Sequence, residues 1–417
     1  MFSLRNFRVG FFLALRQLRR ASPWTTSLIV FVMVLTFLNL VVVSGILVGL
    51  IEGSVSAWRA QYTADVIVST LPDKNYIEGS PNLIALIKSL PGVEGVSARY
   101  SEGATLEAGY KTRKATEKQN LVGAQVIGIN PADEDAVTGL ATRINDGSYL
   151  KSGDYDRVLL GKYLLAQYVP VEDPNFAALS GIEVGSKIRL SAGGVTREVT
   201  VAGIIDSKVD SLTRNVFMVD SQLRSLIGRS DGNVDQIAVK LSPGADPLAL
   251  KAELLRRGAD RWARVQTYAD AQPQFLKDII STFNMLGTGF SSIGLVVASI
   301  TIFIVVFINA YTRRKFIGIL KGIGITGEAI QISYVLQSVF YALVGSAAGL
   351  ALVYALLVPL FLAHPIDFPF SDGILVAPAG QTLLRVLLLI LATVVAGYLP
   401  AWMIVRRNTL DSILGRN

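Results

Sequence analysis

Four stretches of the chain lack any charged residue over a length able to cross a bilayer, which takes about 20 apolar residues. They run from Ala21 to Ile51, Ile279 to Thr312, Ala329 to Ile366 and Val386 to Val405. The pattern predicts transmembrane helices over 24–51, 279–312, 331–362 and 382–405, with one long polar segment, 52–278, between the first two. The second and third uncharged runs hold 34 and 38 residues, more than a bilayer needs, so part of each is expected to project beyond the lipid. If helical throughout, the first two spans enter the polar segment as a stalk able to carry force. The first apolar stretch far exceeds the roughly 7–15 residues of a secretory signal core, which argues against its removal.

Charge sets the orientation. The segment from Glu52 to Asp278 holds 26 Lys and Arg against 28 Asp and Glu, whereas the remainder holds 13 basic residues and 4 acidic ones. Arg5, Arg8, Arg16, Arg19 and Arg20 precede the first span, Arg313, Arg314, Lys315 and Lys321 lie between the second and third, and Arg406, Arg407 and Arg416 follow the fourth. The loop 363–381 between the third and fourth spans has Asp367 and Asp372 and no Lys or Arg. With four spans every basic flank falls on one face, placing both termini in the cytoplasm and 52–278 outside. Within residues 1–23, FSLRNFRVGFFLALRQLRR interleaves Phe and Leu with Arg. It reads equally as an amphipathic helix on anionic headgroups or as a topogenic basic tail.

The composition agrees: 51% hydrophobic, 17% charged and a mean hydropathy of +0.47. The net charge of +7 comes from short segments beside apolar runs, so nucleic acid is not an expected partner and membrane lipid is. With no Cys and the single His364, disulfide, thiolate and His-rich metal sites are excluded. No P-loop, nucleophile elbow or H-E-x-x-H occurs, so no catalytic residue, cofactor site or metal site is expected in this chain. The acidic run Asp133, Glu134 and Asp135 is better explained as a solvated loop or helix N-terminus than as a cation site.

The polar segment contains a weak internal repeat. DVIVST (65–70), NLIALIKSL (82–90) and GVSARY (95–100) read as strand, helix, strand, and DQIAVK (235–240), PLALKAELLRR (247–257) and ARVQTY (263–268) read the same way. Two such units around an insertion suggest a split ferredoxin-like module. The insertion, with QVIGI (125–129), SKIRL (186–190), TREVTVAGII (196–205) and an AGG turn (192–194), reads as a small β-rich lobe. The predicted fold class is therefore an α-helical membrane protein with four transmembrane helices plus a large α+β extracytoplasmic domain.

The uncharged runs leave the spans without Asp, Glu, Lys or Arg, which disfavours an ion-coupled transporter. They do carry small residues at helix-packing spacing, Gly45 with Gly49 and Gly345 with Gly349, suited equally to packing within the bundle or to dimerisation. Between the second and third spans, RRKFIGILKGIGITGEAI (313–330) places Ile317, Leu320 and Ile323/Ile325 at near-helical spacing beside Arg314 and Lys321. It reads as a basic topogenic loop with a short interfacial helix, or as a docking helix for a cytosolic partner.

That basic pair leading into FIGILKGIG resembles the corresponding loop of MacB/FtsX-type permeases of ABC transporters, the type VII class. The ending YLPAWMIVRRNTLDSIL (398–414) is similar to that family's closing motif, and GKYLLAQY (161–168), GIEVGSKIRL (181–190) and EVTVAGIID (198–206) resemble its external core domain. Phe316 stands where the family usually has Glu, Gln337 where an acid is frequent, and Asn408 and Thr409 depart from the closing motif. The resemblance implies an inner-membrane permease, itself non-catalytic, that pairs with a second permease copy and with a cytoplasmic ABC ATPase holding ATP and Mg. An adaptor protein in the periplasm is a further candidate partner. It implies mechanotransmission: ATP-driven closure moves the external domains through Arg314, Lys315, Ile317, Gly318, Leu320, Lys321 and Gly324 at the ATPase contact. The expected outcome is export or extraction of a substrate from the outer leaflet or periplasm, and the alternative is a regulator activating an envelope enzyme such as a cell-wall hydrolase.

Overall fold

The structure, a computed structural model, describes residues 4–114, 116, 118–169, 177–368, 371–372 and 375–406. Residues 407–414 of the closing motif, with Asn408 and Thr409, and the rest of the 406–417 tail beyond Arg406 lie outside the described residues. The chain folds as two units, Met1–Glu52 with Asp278–Asn417, and Gly53–Lys277. Helix α1 (Leu4–Arg19) is followed by Ser22 and by Pro23, the first residue of α2 (Pro23–Thr63). Proline suits a first turn, where its missing N–H would have had no partner. The 41 residues of α2 extend roughly 60 Å, about twice the thickness of a bilayer's hydrocarbon core. The helix stops at Ala64, which adopts φ +53° and ψ −145°, a region L-residues avoid.

Beyond that stop come β1 (Val66–Ser69), α3 (Ser80–Lys88) and β2 (Val93–Ala108). The intervening lobe contributes β3 (Asn120–Ile129), α4 (Pro131–Thr138), β4 (Ile144–Gly147), β5 (Arg157–Gly161), β6 (Lys187–Ala192), β7 (Val195–Ile205), β8 (Val216–Val219) and α5 (Asp220–Ile227). The second strand–helix–strand unit is β9 (Gln236–Leu241), α6 (Pro247–Arg256) and β10 (Arg264–Thr267). The two units interleave as β10-β1-β9-β2, antiparallel throughout, with Val66 opposite both Val239 and Thr267. Their period-2 apolar residues, Val66, Val68, Ile237 and Val239, pack with Ile87 of α3 and Leu254 of α6.

Strand β2 is longer than the GVSARY segment that announces it. Its second half pairs with β3 and β6 and carries Leu106 into a separate core with Val126, Leu160, Leu190, Val201 and Met218. The small residues Gly103, Ala104 and Ala108 dilute the strand pattern there, which hid the continuation. The AGG segment forms the β6–β7 turn, where Gly193 and Gly194 both take positive φ as a two-residue hairpin requires. The lobe also holds short helices that the β-rich reading did not lay out, α4 and α5 among them. In α4, Asn130 Oδ1 accepts from the Ala132 N–H at 3.1 Å, Pro131 occupies the first turn, and Gly139 at φ +64° ends the helix.

The remaining helices are α7 (Gln274–Thr312), α8 (Arg314–Gly322), α9 (Gly327–Ala363) and α10 (Ala379–Val405). Among the described residues four helices, α2, α7, α9 and α10, are long and apolar enough to cross a membrane. Gly345 and Gly349 lie where α9 meets α2, and a Cβ at either would collide with Met33 or Phe37. A Cβ at Gly45 would come within 3.0 Å of Leu375 and of the Val376 carbonyl, and the Gly49 carbonyl accepts from Ser371 Oγ at 3.4 Å. The spanning helices run past the uncharged stretches and take in charged residues, Arg385 of α10 among them. Pro378 caps α10, and no breaker follows before Val386, so the helix propagates from Ala379 and takes Arg385 in with it.

Candidate functional site

Helix α8 is strongly amphipathic, and its two faces do different things. Ile317, Gly318 and Leu320 are buried, Ile317 and Leu320 in a cluster with Met33, Val306, Tyr334, Ile404 and Val405. Lys321 Nζ donates to the Val405 carbonyl at 3.0 Å, and the Arg314 guanidinium lies 4.7 Å from the Tyr311 ring centre. Lys315 is exposed, and beside it Phe316, Ile319 and Ile323 are 48%, 52% and 71% accessible. Of the seven residues named from the motif, Ile317, Gly318 and Leu320 are buried against the bundle and Lys321 ties the helix to α10, whereas Phe316, Ile319 and Ile323, outside that set, form its outer apolar stripe. Their i, i+3, i+7 spacing was legible, but the alternative face at Ile317 and Leu320 fits the same period.

Gly324 terminates α8. Its φ of +91° lets the Ile325 N–H reach the Leu320 carbonyl at 3.0 Å and its own N–H reach that of Lys321 at 3.0 Å, the paired bonds of a Schellman stop. Gly324→Ala is expected to lower bundle stability by about 1–2 kcal/mol, since a Cβ disfavours that conformation. Gly322→Ala, inside the helix and facing open space, should be neutral or slightly stabilising. Thermal unfolding followed by circular dichroism in detergent distinguishes them, and equal midpoints would reject the cap.

Helix α1 docks on α9 through a narrow strip rather than a broad apolar face. Gly10 sits against Ile332 and the Ala329 carbonyl, and Asn6 Nδ2 donates to Glu328 Oε2 at 2.8 Å. The buried Gln337 Nε2 donates to Gln17 Oε1 at 2.7 Å and to the Ser333 carbonyl at 3.1 Å. A neutral amide at this position thus finds a neutral partner.

The second constellation surrounds the end of α2 and was not visible from any motif. Arg59 Nε donates to Asp65 Oδ1 at 2.8 Å, and its guanidinium lies 4.6 Å from the Tyr268 ring centre. Gln61 Oε1 accepts from Ser207 Oγ at 2.6 Å, and Tyr62 Oη donates to Gln236 Oε1 at 3.0 Å. Beneath them Arg99 of β2 donates through Nε and Nη2 to both carboxylate oxygens of Glu134, at 2.9 and 2.6 Å, and through Nη2 to the Tyr62 carbonyl at 2.8 Å. Its guanidinium also stacks 4.7 Å from the Tyr62 ring. Ser97 and Thr138 hydroxyls complete the carboxylate shell at 2.6 and 2.9 Å.

Both charged side chains of this pair are shut off from solvent, at 2% and 0% exposure. The helix N-terminus expected for the run 133–135 is present, but Glu134 is a buried ion-pair partner and not a solvated acid. The cause is Arg99, which lies 35 residues away in sequence and would itself be buried without a counter-charge. Burial alone would raise the Glu134 pKa, yet the Arg99 charge and the three donors outweigh it and hold the carboxyl below its ordinary 4.5. Because the folded value is depressed, the stabilisation is complete above pH 4.5 and is lost as pH falls through the folded value. Buried Asp235 acts oppositely: burial raises its pKa, so its contribution favours acid and fades as pH rises. Glu134→Gln should therefore lose stability in full above pH 4.5, with its gap to wild type closing as pH falls below that value, and a gap that appears only in acid would contradict the assignment.

The joint gives the last turn of α2 four side-chain or carbonyl anchors in one domain, so that turn can neither rotate nor slide without breaking them. Comparison with known proteins places these parts in context. Residues 26–257 match the family model of the MacB-like periplasmic core domain, and residues 288–409 match that of the FtsX-like permease C-terminal region. The chain is 24% identical over 229 residues to the macrolide export ATP-binding/permease protein MacB 1 of Yersinia pestis, covering 51% of this chain. It spans about a third, 33%, of that relative's length. An uncharacterized ABC transporter permease of Methanocaldococcus jannaschii is 23% identical over 240 residues, covering 56% of this chain and 58% of the relative. The solved periplasmic region of MacB from Actinobacillus actinomycetemcomitans aligns with a TM-score of 0.35 at 17% identity, over 51% of this chain and 92% of that one.

Proposed function

The chain belongs to the MacB/FtsX-type ABC permease family, and on that premise we propose that it couples ATP hydrolysis by a separate cytoplasmic ATPase to movement of its external domain. The observation that carries the reading is the division of α8: one face seated in the bundle, the other offering Lys315, Phe316, Ile319 and Ile323 to solvent beside the basic flank. Such a stripe is the surface a nucleotide-dependent partner must grip, because the partner shifts the permease only by contacting it unequally in its two states. The bolted end of α2 supports the output side, since a helix joined to its domain by buried charge passes on movement rather than dissipating it. A second permease copy completes the assembly, and ATP and Mg are held by the ATPase.

The four-strand order β10-β1-β9-β2, with α3 and α6 as crossovers, supports reading that part of the domain as a ferredoxin-like module split by the lobe. Export or extraction of a substrate from the outer leaflet or periplasm follows from the family reading. In nanodiscs, the chain should raise hydrolysis by its ATPase several-fold over the ATPase alone, and unchanged hydrolysis would reject the proposal.

Orientation is proposed with both termini in the cytoplasm of an inner-membrane protein. Cys placed at the exposed Ser152 and Thr326 of this cysteine-free chain should label from opposite faces of intact cells and inverted vesicles. Labelling of both from one face would end the four-span topology.

A further inference from the structure

A cavity of about 480 Å³ lies between α2, α7 and α10, lined in part by Ser44, Asn284, Ser292, Gln381 and Arg385. Its volume is in the range of small-molecule sites. Its lining residues include no carboxylate, and the described partner of Arg385 is the neutral Gln381 Oε1, at the long distance of 3.5 Å from Nη2. The other guanidinium nitrogen, Nη1, is buried and has no hydrogen-bond partner among the described residues. Snorkelling to the bilayer surface is the ordinary fate of an arginine near a helix end, and it would leave that nitrogen in water. Here it is turned inward instead. Several serine and threonine hydroxyls are already committed: Ser44 pairs with Ser291 at 2.9 Å, and Ser292 donates to the Thr288 carbonyl at 2.8 Å. Leu40, Leu47, Leu384 and Leu388 make up much of the remaining wall.

A half-buried guanidinium with one nitrogen shut off and no carboxylate along the cavity wall is costly, and much of that wall is apolar, so the complementary occupant carries one negative charge and a hydrocarbon body. We propose that this cavity binds a membrane amphiphile with an anionic headgroup, its phosphate on Arg385 and its chain along the leucines. The site is remote in sequence from α8 and its occupancy needs no ATPase, so its test stands or falls apart from the coupling proposal.

The test is native mass spectrometry of the purified full chain in detergent, titrated separately with phosphatidylglycerol, phosphatidylcholine and water-soluble glycerol phosphate. The wild type should retain one phosphatidylglycerol about tenfold more tightly than phosphatidylcholine. Arg385→Gln should remove that preference, and Arg385→Lys should keep part of it. Gly287→Leu, pointing toward Leu47 with ordinary contact at 3.4 Å, fills the space without changing charge and should weaken both lipids. Equal retention of the two lipids by the wild type would overturn the proposal, as would a preference that survives both Arg385→Gln and Gly287→Leu. Displacement of phosphatidylglycerol by glycerol phosphate at equal concentration would also overturn it, by showing a soluble-anion site.

Discussion

Arg99→Met, with Glu134 left in place, is expected to destabilise the Gly53–Lys277 unit by about 3–5 kcal/mol, because it strands a carboxylate that no water reaches. The double variant Arg99→Met with Glu134→Leu should recover most of that loss, since a buried pair exchanged for apolar groups of similar size is often close to neutral. What the double variant does not restore is the Arg99 donor to the Tyr62 carbonyl. The domain should then refold while the end of α2 is held less firmly, costing about 1–3 kcal/mol for the unsatisfied carbonyl. Denaturant unfolding of the full chain in detergent measures the first effect, and a loss below about 1 kcal/mol for the single variant would show the pair to be dispensable. If the joint carries force, the double variant should also hydrolyse ATP with its partner yet respond less to the state of the external domain.

The other large effect separates the two faces of α8. Phe316→Asp with Ile319→Asp alters only exposed positions, so folding should be preserved while ATPase stimulation falls at least tenfold, as for loss of an interface anchor. Gly318→Asp with Leu320→Asp instead drives two charges into the bundle and should reduce the amount of folded, monodisperse protein. Hydrolysis by the reconstituted complex and size-exclusion of the permease alone measure the two outcomes. Normal stimulation by the first pair would place the ATPase contact elsewhere.

The two faces show why the motif alone misassigned no helix yet blurred its roles. FIGILKGIG specifies a short helix and a glycine stop, because an amphipathic period and a residue tolerant of positive φ are local properties. Which apolar stripe meets the bundle depends on the shapes of α2, α7, α9 and α10 around it, and both stripes carry isoleucine. Arg385 shows the same limit from the other side: the uncharged run starts at Val386 and the predicted span at 382, whereas the helix begins at Ala379, where Pro378 allows it.

The apolar runs, their basic flanks and the two strand–helix–strand repeats were written in the sequence, since hydrophobic transfer and backbone periodicity act over neighbouring residues and need no knowledge of the fold. The buried Arg99–Glu134 bolt, the orientation of α8, the close glycine contacts of α9 and the cavity at Arg385 were decided by tertiary structure alone. Each depends on groups brought together from distant parts of the chain, and the energy of a buried charge or a filled space is set by those neighbours and by nothing the residue carries itself.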